Sequence, residues 1–96
     1  MDEEFETEYV KHSLLGRELV EFCPHALKQM KVRGIDKKEV IGAVEHPDKV
    51  GLNCPADRER VRRFKKKTKA IDVVYKLKKD RVLIITALFK TFPARR

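Results

Sequence analysis

The sequence has no tryptophan, two cysteines, and a single residue each of asparagine, glutamine and serine: Asn53, Gln29 and Ser13. Cys23 and Cys54 stand too far apart for a C-x-x-C redox or zinc motif, and no second cysteine pair completes a metal site, so no metal is expected. They read as buried thiols. The scarcity of amides beside abundant Lys, Arg and Glu matches the usage of heat-adapted proteins, and in a thermophile a Cys23–Cys54 disulfide is conceivable even inside a cell. No apolar stretch approaches the roughly 20 residues that cross a bilayer. The start, Met1-Asp2-Glu3-Glu4, lacks the basic then apolar pattern of an export signal, which gives a cytoplasmic expectation. Also missing are a glycine-rich phosphate loop, a Ser-His-Asp set, a His/Cys cluster and paired catalytic carboxylates, so no cofactor is expected.

What is present is positive charge. The chain of 96 residues carries a net charge of +8, yet Met1 to Tyr9 holds five acids and no base, which leaves the remainder at +13. From Arg58 to Arg81 there are twelve Lys or Arg against three acids. Such density attracts polyanions through long-range steering and counterion release, and nucleic acid is the commonest such partner. A merely solvated surface is the competing reading. Ninety-six residues with 42% hydrophobic composition suffice for one core. The expected division is an acidic N-terminal extension, 1–16, and a single α+β domain, 17–96.

Local patterns place the elements. Arg17 to Cys23 alternates as a short strand. Pro24 suits the first position of a helix, and Ala26, Leu27 and Met30 follow at helical spacing until Gly34, which predicts a helix from Pro24 to Arg33. Asp36 and Glu39 form a capping box before Val40, Ile41 and Val44, which predicts a second helix from Lys37 to Glu45 ended by Pro47. Arg58 to Lys66 reads as a strand, Lys49 to Asn53 as a further one. Ile71-Val73-Tyr75-Leu77 and Val82-Ile84-Thr86-Leu88 alternate as a hairpin turning at Lys79-Asp80. Its expected pairs are Leu77 with Val82, Tyr75 with Ile84, Val73 with Thr86 and Ile71 with Leu88. The expected architecture is two short helices packed on one face of a three- to four-stranded antiparallel sheet. The opposite face would then expose Val74, Leu83, Ile85, Ala87 and Phe89. The N-terminal segment, whose Phe5, Tyr9 and Val10 have helical spacing, a second copy in a homodimer, or another protein would cover it.

The stretch His25-Ala26-Leu27-Lys28-Gln29-Met30-Lys31-Val32-Arg33-Gly34-Ile35, with Val40-Ile41-Gly42-Ala43-Val44-Glu45-His46-Pro47-Asp48 and Val73-Val74-Tyr75, resembles a family of small domains of unknown function. Those domains are similar to RelE and BrnT type toxins and to the wider barnase/RelE-like ribonuclease group. The likeness runs from about Phe22 to Phe92 and implies a RelE-like fold. It also implies metal-independent RNA cleavage and an acidic antitoxin-like partner, although fold and activity separate easily.

Cleavage of that kind needs a base for the 2′-hydroxyl, an acid for the leaving oxygen, and cations for the phosphate. His25 lies in the first turn of a helix, where the dipole favours a neutral imidazole, and is the candidate base. Its alternative is a structural hydrogen bond. His12 falls in the N-terminal segment and His46 in a turn. Arg33, Arg58, Arg60, Arg62, Arg63, Lys65, Lys66 and Lys67 are the candidate nucleic-acid ligands. Tyr75 is a candidate proton donor or stacking ring, or else a core residue beside Val73 and Leu77. A noncatalytic module binding nucleic acid or an acidic protein, and a structural dimerisation domain, are the other readings of the same residues.

Overall fold

A computed structural model of the protein describes residues 5–93. The chain forms β1 (Glu8–Leu14), β2 (Arg17–Phe22), α1 (Pro24–Arg33), α2 (Lys37–Glu45), β3 (Glu59–Lys66), β4 (Lys69–Leu77) and β5 (Val82–Thr91). Both helices have the limits that their punctuation predicts. Pro24 opens α1, and Gly34 closes it in the left-handed region at φ 69°, where a residue without Cβ avoids strain. At α2 the Asp36 carboxylate accepts from the Glu39 N–H at 2.8 Å, and the Glu39 carboxylate accepts from the Asp36 N–H at 3.2 Å. This capping box satisfies two N–H groups that the first helical turn leaves unpaired.

Five strands make one sheet in the order β1-β2-β5-β4-β3. The expected three to four antiparallel strands are thus too few, and the sheet is mixed rather than antiparallel throughout. The reason is topological. The helical pair carries the chain from β2 to the far edge, the meander β3-β4-β5 returns, and β5 arrives beside β2 in the parallel sense, with Val20 opposite Val82 and Phe22 opposite Ile84. The segment around Tyr9 and Val10 is not helical. It pairs antiparallel with β2 through a turn at Leu15-Gly16, whose φ values of 51° and 80° are those of a tight hairpin. Once β2 supplies a partner edge, Val10, His12 and Leu14 turn to the covered face while Tyr9, Lys11 and Ser13 stay exposed. At the other edge, Lys49 to Asn53 forms no strand; a single bridge joins Lys49 to Arg62.

The β4–β5 hairpin turns where predicted, with Lys78 N–H donating to the Arg81 carbonyl at 2.8 Å. Its register starts as expected, Leu77 with Val82 and Tyr75 with Ile84, and then shifts by one residue. Val74 pairs with Thr86, which leaves Ile85 as the extra residue of a bulge. Val73 therefore faces Ala87 and Ile71 faces Phe89, in place of Thr86 and Leu88. Ala87 is fully buried in the core and Phe89 packs against it. The bulge thus moves two residues of the expected exposed apolar face into the interior and puts Thr86 and Leu88 outside.

The core lies between the helices and one face of the sheet. Ala26, Leu27 and Met30 of α1 pack toward β5, and Val40, Ile41, Ala43 and Val44 of α2 toward β4 and β3, over Val20, Phe22, Ile71, Val73 and Ile84. The twisted sheet also brings β1 to α2. There Glu8 pairs with Lys37, and the shielded His12 Nε2 lies 3.4 Å from Glu45 Oε2, within ion-pair distance but not aligned as a hydrogen bond. Cys23 and Cys54 are free thiols. The Cys23 thiol donates to the Ile85 carbonyl at 3.6 Å and the Cys54 thiol to the Arg58 carbonyl at 3.3 Å. No helix among the described residues is long and apolar enough to cross a membrane.

Candidate nucleic-acid interface

Strand alternation divides the basic run of β3 between two faces. Val61 is buried beneath the helices, and Arg63 shares its side: its Nη1 donates to the Gly42 carbonyl of α2 at 3.0 Å. Lys65 follows on that side, with its Nζ 2.6 Å from Glu39 Oε2. Arg60 and Arg62 face the other way, across the open surface of the sheet, and meet there a residue that composition gives no reason to notice. Asp72 stands opposite Arg62 on β4 and is, among the described residues, the one buried charged side chain, with 0% of its surface exposed.

Its carboxylate accepts four hydrogen bonds. Arg60 donates from Nε at 2.9 Å and Nη2 at 2.6 Å to Oδ2; Arg62 donates from Nε at 2.6 Å to Oδ1 and from Nη2 at 2.9 Å to Oδ2. Burial pushes the Asp72 carboxyl upward, but the hydrogen bonds and charges of Arg62 and Arg60 outweigh it and hold the group below the ordinary carboxylate value. The same bond drives the Arg62 guanidinium further up. Each arginine spends its Nε and Nη2 edge on the aspartate, and its Nη1 makes no hydrogen bond among the described residues. The Arg62 guanidinium also lies 5.1 Å from the ring centre of Phe92, which in turn packs against Phe64 at 5.5 Å. Two cations are thereby held in fixed orientations on an open sheet surface, and Arg62 lies beside an aromatic ring. An arrangement of this kind can bind a phosphate with little loss of side-chain freedom, and offers a ring to a base.

The other candidate residues are dispersed. Arg58 is forked onto its neighbour Asp57 at 3.0 and 3.3 Å, and Arg33 donates to the Ala87 carbonyl at 3.0 Å. Lys66 and Lys67 are exposed and make no hydrogen bond or ion pair among the described residues. Tyr75 is 8% exposed within the core, and burial, aided by Glu59, raises its hydroxyl pKa. His25 is exposed at the start of α1, on the helical side of the sheet and near Ile85. From that end of β5 to Arg63 is about 16 Å of sheet, from four residues of strand and two strand spacings. Arg60 and Arg62 lie on the opposite face. The structure does not bring His25 and the arginines of β3 to one phosphate. Asp72, Phe64 and Phe92 were not singled out as site residues in the sequence. The available signal was an acid within a basic and apolar run, ten residues from Arg62, a spacing that a tight hairpin places directly across the strands.

A family model described as a domain of unknown function, DUF4258, matches residues 22–89. The chain belongs to the DUF4258 family. No curated protein and no solved structure matches it. The DUF4258 match includes both helices, β3, β4 and most of β5, and so contains Arg60, Arg62 and Asp72 but neither β1 nor Phe92. Among the described residues of this DUF4258 protein, no group of three or more His, Cys, Asp and Glu side chains is placed to hold a metal ion.

Proposed function

We propose that this protein binds RNA on the open face of its sheet, through the Arg60–Asp72–Arg62 cluster and the adjoining Phe92 and Phe64. The observation that carries the reading is the buried carboxylate. Placing an ionised aspartate under a sheet surface is costly, and two guanidiniums fixed by it gain orientation rather than stability. The basic excess of the chain supports the same partner class, since it supplies attraction that does not depend on sequence. The likeness to RelE and BrnT type toxins agrees with two helices followed by the β3-β4-β5 meander, and it makes RNA the polyanion to test first.

The cluster supplies phosphate binding and no proton acceptor, because Asp72 is already saturated by its four donors. A binding module is therefore preferred here to an endoribonuclease centred on His25. The test uses a variant that keeps the shape of the cluster: Arg60→Gln/Arg62→Gln/Asp72→Asn lowers the net charge by one. Lys79→Gln, an exposed turn residue, lowers it equally. Fluorescence anisotropy with a labelled oligoribonucleotide over a salt series is expected to show a loss of about tenfold or more in the triple variant. Its salt slope should also be shallower by about one to two, against a small uniform loss in Lys79→Gln. Equal affinities in the two variants would remove the assignment.

A further inference from the structure

A second cationic cluster lies on the helical side of β3. A cavity of about 320 Å³ opens there between α2 and the sheet, lined by Lys38, Glu39 and Gly42 of α2, Arg63, Phe64 and Lys65 of β3, and Ile71 of β4. Arg63 crosses α2 at the one glycine inside that helix. A Cβ at Gly42 would stand 3.1 Å from Arg63 Nη1, so the glycine lets the guanidinium lie close against the helix without shifting by a few tenths of an ångström, and Nη1 donates to the Gly42 carbonyl. Nε and Nη2 of Arg63 make no hydrogen bond, and Lys38 makes neither hydrogen bond nor ion pair among the described residues. Glu39 is the lone acid of the lining. One of its oxygens is engaged by Lys65 and the other by the Asp36 N–H. Three cations against this one carboxylate leave an excess of two positive charges around an unfilled space, with Ile71 as an apolar wall.

We propose that this cavity binds a phosphate monoester. The local excess matches the charge that such a group carries near neutral pH, and three cations from two elements line one cavity, two of them with donors not spent on Glu39. The volume holds the phosphate and part of an attached organic group. The site is distinct from the Arg60–Asp72–Arg62 cluster, since Arg60 and Arg62 point away from it, and Phe64 borders both. Its ligand has two natural sources, a free mononucleotide or the 5′ end of an RNA.

The test follows backbone amide shifts of the full chain during titration with inorganic phosphate, a nucleoside 5′-monophosphate, and short oligoribonucleotides with and without a 5′-phosphate. Saturable shifts at Gly42, Arg63, Lys65 and Ile71 are expected with phosphate and the monophosphate. Arg63→Gln should weaken that binding by about tenfold, as for the loss of one charge-assisted contact, while the open-face triple variant retains it. Lys38→Gln, at an exposed position without partners among the described residues, gives the same reading should Arg63→Gln fail to fold. Discrimination in favour of the 5′-phosphorylated oligonucleotide at this site identifies an RNA terminus as the source; binding of the mononucleotide alone identifies a small ligand. Linear, unsaturable shifts, or affinity unchanged in a folded Arg63→Gln protein, would overturn the proposal.

Discussion

Replacing Asp72 by alanine tests the central electrostatic feature of the fold. The substitution removes the acceptor of four charge-assisted hydrogen bonds from a position with no solvent exposure, and leaves two guanidiniums facing each other. Breaking a buried ion pair by deleting one partner typically costs about 3–5 kcal/mol. Here the arginine side chains are 24% and 14% exposed, so they can turn toward water and recover part of that loss, and about 2–3 kcal/mol is expected. For a chain of this size that corresponds to a fall in melting temperature of roughly 10–20 °C. Urea denaturation followed by circular dichroism measures it directly, provided the slope with denaturant is unchanged. The pH dependence supplies an independent check. The folded carboxyl pKa lies below its unfolded value, so its contribution is complete above about pH 4 and is lost as pH falls through the folded value. The wild type should therefore lose stability in acid more steeply than Asp72→Asn. A loss below about 0.5 kcal/mol in Asp72→Ala, together with parallel acid profiles, would refute the claim that this network fixes the two arginines.

Three further outcomes follow from the same coordinates. Leu15 holds a left-handed conformation at φ 51° in the β1–β2 turn and is 42% exposed, so Leu15→Asn should stabilise the protein by about 1 kcal/mol in the same urea assay. Phe22 is wholly buried in the core, and Phe22→Ala is expected to cost about 3–5 kcal/mol, seen as a lower denaturation midpoint. Since His25 is exposed and on the other face of the sheet from Arg60 and Arg62, His25→Ala should keep RNA affinity within about twofold and shift stability by less than about 0.5 kcal/mol; a larger drop in affinity would return the histidine to the RNA surface.

The local features of the chain were legible because their causes are local. Pro24, Gly34 and the Asp36/Glu39 pair act within a few residues of themselves, and the limits of α1 and α2 follow from them. The β4–β5 turn was readable for the same reason. Phe5, Tyr9 and Val10 misled because one apolar spacing suits either a helix or a strand, and the choice fell to the free edge of β2. The candidate site was legible in part. Arg60 and Arg62 stand out by composition, but so do six other cations and His25, and charge alone does not rank them.

From sequence alone came the α+β class, the two capped helices, the hairpin turn and the basic excess, each set by backbone preferences and charge within short windows. Tertiary structure decided the rest. Insertion of β5 beside β2 made the sheet mixed. The bulge at Ile85 exchanged which residues of β5 face the helices, and pairing of β3 with β4 put Asp72 under two arginines while turning Arg63 toward Gly42. The physical reason is that side chains alternate with a period of two. Which face a residue occupies, and hence whether two cations share a ligand or point apart, depends on register against a distant strand and on single-residue shifts that no short window contains.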